Sequence, residues 1–213
     1  MAASVAVAPS TSRAERLRAA PRAPGEASFF FWDSHFGRDA VKVLPGEHFV
    51  DDGEIVITTT LGSCIAVCLW DPQRRVGGMN HFMLPTGDGA GGRYGSFAME
   101  LLINALMRRG AARPCLTAKV FGGAAVVAGM NSLNIGEQNT RFVLDYLATE
   151  RIEVTHRDVL GIQPRKVAFW PDSGKAMVKK LPATRARALA ERERDAARTI
   201  AAPAGAGAVD LFD

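Results

Sequence analysis

Three strand-length apolar runs, Ile55 to Thr60, Ile65 to Trp70 and Val76 to Leu84, follow one another closely. Only Leu61-Gly62-Ser63-Cys64 and a turn at Asp71-Pro72-Gln73, followed by Arg74-Arg75, lie between them. Runs this short, bounded by turn residues and rich in β-branched side chains, read as strands rather than helices. The chain must therefore build a sheet around this region. The bend between the first two strands carries the thiol of Cys64, and the returning third strand carries the imidazole of His81. A thiol at a glycine-serine bend with a histidine on a neighbouring strand is the minimum set for a cysteine nucleophile.

The chemistry explains the residue types. Only the thiolate attacks a carbonyl well, and a free cysteine, with a pKa near ~8.5, is mostly protonated at neutral pH. An adjacent imidazole can take the thiol proton and later give it to a leaving group, provided that its second nitrogen is oriented. Side chains two apart on a strand share a face, so Thr58 lies on the side of Thr60 and Gly62 and is the candidate orienter. Gly62 and Ser63 permit a tight backbone whose N–H groups, at or beside Cys64, could face an oxyanion. The competing reading is that cysteine and histidine here are core residues. It is the better one for Cys68, inside the apolar run Ile65 to Trp70, and for Cys115, which opens a strand after Pro114. For Cys64 and His81 the residues alone leave both readings open.

The remaining pattern predicts one α/β domain over 29–181, with layered mixed or antiparallel sheets and two main covering helices. Phe29-Phe30-Phe31-Trp32 reads as an entry strand or a docking patch, and Val41 to Leu44 as a half-buried strand. Ala98, Leu101, Leu102, Ala105 and Leu106 have helical spacing, with Gly110 as the stop. Leu116 to Phe121 is a strand, and residues 139–151 form a second amphipathic helix. Arg165 to Trp170 and Lys175 to Leu181 flank the hairpin turn Pro171-Asp172-Ser173-Gly174. Residues 1–28, broken by Pro9, Pro21 and Pro24, read as a disordered extension, and 182–200 as a solvated terminal helix. Residues 201–213 read as a flexible tail whose tip, Val209-Asp210-Leu211-Phe212-Asp213, is either a docking peptide or a frayed end. The glycine-rich stretch 86–95 lacks a Gly-Lys-Ser/Thr ending and reads as a loop bordering the site, not a phosphate cradle.

A chain of 213 residues can bury a sufficient core without disulfides. Three cysteines without paired spacing, and no secretory signal, point to a reducing cytoplasm. A net charge of +4, with acids interleaved among the Lys and Arg, gives no nucleic-acid signature. It suits steering toward an acidic partner. The four histidines are isolated along the chain and Cys64 with Cys68 offers only two thiols, so neither a metal nor a cofactor is expected. No run is long and apolar enough to insert in a membrane.

Several motifs in order carry a family resemblance. The run Thr58 to Cys68, the segment Gly77-Gly78-Met79-Asn80-His81 ending in Met83-Leu84-Pro85, and Arg93-Tyr94-Gly95 come first. Lys119-Val120-Phe121-Gly122-Gly123-Ala124, Asn134-Ile135-Gly136 with Asn139, and Gln163-Pro164-Arg165-Lys166 follow. Over roughly residues 40 to 181 the chain closely resembles the CheD family of chemoreceptor glutamine deamidases. The resemblance implies a CheD-like cysteine hydrolase fold and conversion of glutamines on methyl-accepting chemotaxis receptors to glutamate, with release of ammonia. It matches Cys64 to the nucleophile, His81 to the general base and acid, and Thr58 to the third member. It departs from the family pattern at Ser96, where aspartate is common, and at Leu160, where the first of two glycines is common. The alternative it also allows is an interaction module with little or no catalysis that binds chemoreceptors or a CheC-type chemotaxis phosphatase.

Overall fold

The alternation of the short apolar runs resolves into two packed five-stranded sheets. The computed structural model describes residues 13–83, 90–125, 130–185 and, beyond them, 188, 189, 191, 193 and 195. In the first sheet β1 (Phe29–Asp33), β2 (Arg38–Lys42), β4 (Val56–Leu61), β9 (Arg165–Trp170) and β10 (Lys175–Lys180) lie in that order. The second runs β3 (His48–Asp51), β6 (Val76–Phe82), β5 (Ile65–Asp71), β7 (Thr117–Gly122), β8 (Glu153–Val159). The pairs β2–β4 and β7–β8 are parallel and the others antiparallel, so both sheets are mixed. Three α-helices, α1 (Arg13–Ala19), α2 (Ala90–Arg108) and α3 (Met130–Thr149), and single 3-10 turns at Arg113–Cys115 and Ala183–Arg185 accompany the sheets. α3 makes the crossover that the parallel β7–β8 pair requires.

The two faces of each strand go to different layers. Ile65, Val67 and Leu69 of β5 join Leu102, Ile103, Leu106, Val143 and Leu147 in the core between the second sheet and helices α2 and α3. Ala66 and Cys68 of β5 and Met79 of β6 face Ile57, Leu61, Val167 and Phe169 of the first sheet. Asn80 ties the layers together: its Oδ1 accepts from Val67 N at 3.1 Å and its Nδ2 donates to Ala98 O on α2 at 3.1 Å. The layered α/β architecture, the runs as strands and the hairpin agree with expectation, with β9 and β10 paired from Trp170–Lys175 to Arg165–Lys180.

Three features differ from the sequence reading. The stretch expected to be disordered up to residue 28 contains α1, whose Ala14 is buried and whose Ala14 N–H donates to Asp39 at 3.0 Å. Arg13 of the same helix pairs with Asp51 and Asp52, so side chains distant in sequence hold it on the domain. β3 escaped notice because all of His48–Asp51 is buried and shows no alternation. β8 escaped because it is a largely exposed edge strand with charged residues, a composition that blunts edge pairing. In β1, Phe30 is buried while Phe29 and Trp32 are exposed, so the aromatic cluster is an edge strand with one face in the core. Ala188, Leu189, Glu191, Glu193 and Asp195 are helical. The expected tail, 201–213 with its tip Val209–Asp213, lies outside the described residues, as do residues 86–89 of the glycine-rich stretch, whereas 90–95, expected as loop, form the first turns of α2.

Candidate active site

Cys64 sits at the bend joining β4 to β5, across the boundary between the two sheets, and is fully buried. The bend is held from behind through its carbonyls. Ala124 N donates to Gly62 O at 2.7 Å, Asn139 Nδ2 to Ser63 O at 2.8 Å, and Gly123 N to Cys64 O at 2.8 Å. With those carbonyls turned toward the segment after β7 and toward α3, the Gly62 and Ser63 N–H groups turn the other way. Gly122 makes this possible: its φ is +119°, and a Cβ there would come within 2.0 Å of Cys64 O. Arg165, fully buried, braces the same corner by donating to Gly122 O at 2.8 Å and to the backbone oxygens of Asp158 and Leu160. Its guanidinium pairs with Asp158 at 3.2 Å.

His81 lies on β6 opposite Ala66 and is 2% exposed. Its Nδ1 is 2.8 Å from the Oγ1 of Thr59, and the same hydroxyl donates to Val43 O at 2.8 Å. A hydroxyl has one proton. Since Thr59 gives its proton to the carbonyl, it accepts from Nδ1–H, which fixes the tautomer and leaves Nε2 with a free lone pair. That Nε2 is buried and has no hydrogen-bond partner among the described residues.

Thr59, not Thr58, is therefore the threonine that meets the histidine. Residues 57, 59 and 61 of β4 face the second sheet, where His81 stands, whereas Thr58 points to the outer face with Val56. The Thr58 hydroxyl goes instead to Val41 O at 3.3 Å. The sequence showed the alternation but not which face of β4 would receive the other sheet.

Glu193, in the C-terminal helical segment, is a participant that the sequence reading missed. It is 2% exposed. Its Oε1 accepts from Gly62 N at 2.6 Å, and its Oε2 from Ser63 N and Ser63 Oγ, both at 2.9 Å. Cys64 Sγ, one His81 ring nitrogen and a Glu193 oxygen all lie within 4.8 Å of one another. The only signal in the sequence was the four-residue spacing from Leu189 to Glu193, which puts both on one helix face. Such a trio offers three donors for a metal, a grouping not expected from the isolated histidines. Both Glu193 oxygens are already engaged by donors of the bend, so the arrangement reads as a carboxylate in an amide cradle.

The electrostatics describe a resting site. Burial, and then the charge and hydrogen bond of Glu193, push the Cys64 thiol well up. Burial pushes His81 down to about 4, against a weaker opposing pull from Glu193. Burial, the larger cause in each case, keeps both groups neutral at pH 7. Beside them opens a cleft of about 800 Å³, lined on the domain side by Lys42, Thr59 and His81 and on the other by Leu181, Arg185 and Leu189.

A family model described as "CheD chemotactic sensory transduction" matches residues 83–180. A protein of Albidiferax ferrireducens called "Probable chemoreceptor glutamine deamidase CheD 1" is 59% identical over 94% of this chain and 87% of its own length. The chain belongs to the CheD family. A Burkholderia thailandensis protein of the same description is 52% identical over 84% of this chain and 79% of its own. Among solved structures, the Bacillus licheniformis hypothetical protein YfiH is similar at a TM-score of 0.39 and 13% identity, over 54% of this chain and 51% of that one. Of the two departures from the CheD pattern, Ser96 is half-buried on α2. Leu160 has φ +65°, in the left-handed region that favours glycine, and is followed by Gly161 at +75°.

Proposed function

We propose that this CheD-family chain hydrolyses the side-chain amide of glutamines on chemotaxis receptors, with Cys64 as nucleophile, His81 as base and acid, and Thr59 as the residue that positions the imidazole. The observation that carries this reading is the Thr59–His81 hydrogen bond of 2.8 Å, which leaves the second nitrogen of a buried imidazole unpartnered on a ring that brings a nitrogen within 4.8 Å of Cys64 Sγ. That nitrogen takes the thiol proton as Sγ bonds to the carboxamide carbon. The Gly62 and Ser63 N–H groups, which bind the Glu193 oxygens, stabilise the oxyanion in this reading. Collapse breaks the C–N bond, and His81 protonates the departing ammonia. A thioester remains. Water, deprotonated by the neutral His81, attacks it, the C–S bond breaks, and glutamate and the thiol are released.

The described cysteines are free, which suits a nucleophile working in the reducing cytoplasm. Among the described residues, no helix is long and apolar enough to cross a membrane. The test is to incubate the protein, and its Cys64→Ala variant, with a chemoreceptor cytoplasmic segment and map glutamine-to-glutamate conversion by peptide mass spectrometry. The reading expects conversion by the wild type alone, with receptor binding retained by the variant. Binding without conversion by either protein would favour an interaction module for receptors or for a chemotaxis phosphatase.

A further inference from the structure

The mechanism above has no use for Glu193, yet its carboxylate fills the cradle in which the mechanism generates one. Its two oxygens are bound by the Gly62 amide and by the Ser63 amide and hydroxyl. It lies within 4.8 Å of both the thiol and the imidazole. A glutamate side chain so placed has the chemistry of the reaction product, a carboxylate on the same two-methylene stem as a receptor glutamine. It is presented from helical backbone, and Leu181, Arg185 and Leu189 of the same C-terminal segment wall the adjoining cleft.

We propose that residue 193 occupies the substrate side-chain site as a tethered product, so that the C-terminal segment competes with the receptor for Cys64 and a glutamine at this position would be a substrate of its own chain. The inference rests on the deamidase reading and deepens it. The Gly62–Ser63 cradle becomes the binding site for the carboxamide and carboxylate of the substrate. The preferred substrate is a glutamine carried on a helix, because the site already accepts one glutamate from a helix. Competition is intramolecular, so it depends on the fraction of time that the segment is docked and not on protein concentration. Withdrawing Glu193 also removes a negative charge and a hydrogen bond that act on the thiol, so undocking and activation of the nucleophile coincide.

The Glu193→Gln variant gives a direct test. Its side-chain amide should react as the receptor's does: Sγ bonds to the amide carbon, ammonia leaves with a proton from His81, and water releases the acid and restores the thiol. The full-length variant is purified and incubated without receptor, and the peptide containing residue 193 is followed by mass spectrometry. The expected result is conversion of the introduced glutamine to glutamate at a rate unchanged by dilution, with no conversion when Cys64→Ala is added to the same chain. In parallel, Glu193→Ala should raise kcat/KM on a receptor cytoplasmic segment by about tenfold, mainly through KM. If the introduced glutamine persists while that same variant deamidates receptor at the wild-type rate, the inference is overturned and the deamidase reading stands. If the folded variant converts neither its own introduced glutamine nor receptor, and the wild type is also inactive, both fall. Conversion that slows on dilution would overturn the tethered arrangement.

Discussion

Replacing Thr59 with valine, beside the same change at Thr58, separates two neighbouring threonines that look alike in sequence. Valine keeps the β-branched shape and strand preference, so each change removes only a hydroxyl. At position 59 that hydroxyl accepts from His81 Nδ1–H at 2.8 Å and donates to Val43 O at 2.8 Å, in a fully enclosed setting. Its loss costs about 1–2 kcal/mol of stability, read as a lowered denaturant midpoint. The catalytic cost is larger, because the imidazole carries a proton in the transition state and hydrogen bonds to charged groups are worth about 1.5–3 kcal/mol. That corresponds to a drop in kcat of about 10- to 100-fold, with KM little changed. At position 58 the hydroxyl makes one longer bond, 3.3 Å to Val41 O on the outer face. Thr58→Val should keep activity within about twofold of wild type. Ammonia release and glutamate formation on a receptor cytoplasmic segment report both. A large loss in Thr58→Val with near-normal Thr59→Val would refute the geometric reasoning.

Gly122→Ala places a Cβ against Cys64 O at a φ of +119°, so it should destabilise by more than about 2 kcal/mol and abolish activity, as chemical denaturation and the deamidation assay would show. Leu160→Gly relieves a left-handed leucine at φ +65° and should stabilise by about 1 kcal/mol; a lowered denaturation midpoint would contradict the strain argument. Burial holds the His81 pKa near 4 against 6.5 ordinarily, so the folded state binds fewer protons. Stability is then full above about pH 6.5 and falls by about 3 kcal/mol as the pH drops toward 4. His81→Leu should flatten that slope, and an unchanged slope would assign it elsewhere. Cys64 is buried with its thiol pushed up, whereas Cys115 is half-buried, so iodoacetamide at neutral pH should label Cys115 first.

Most of the strand inventory was legible because β4, β5, β6, β9 and β10 follow period-two or buried-run patterns that local chemistry enforces. The thiol and the imidazole were legible for the same reason, each tied to a bend or strand visible in the sequence. What was not legible depended on long-range packing. Alternation told that Thr58 and Thr59 face opposite ways, but only the stacking of the first sheet on β6 decides which one meets His81. α1 was hidden because Arg13 finds Asp51 and Asp52 only in three dimensions. Glu193 belongs by its neighbours to a solvated charged helix, since nothing local in an alanine- and arginine-rich stretch says that one carboxylate of several turns into an amide cradle at Gly62 and Ser63.

The thioester at Cys64 is the centre of the account, and hydroxylamine is the direct probe for it. Wild-type protein and Cys64→Ala are each incubated with a receptor cytoplasmic segment in the presence of hydroxylamine, and the receptor peptides are analysed by mass spectrometry. The account predicts hydroxamate at the same glutamines that otherwise become glutamate, formed at the expense of glutamate and absent with Cys64→Ala. Glutamate formation unaffected by hydroxylamine, or hydroxamate made by the Cys64→Ala variant, would contradict it.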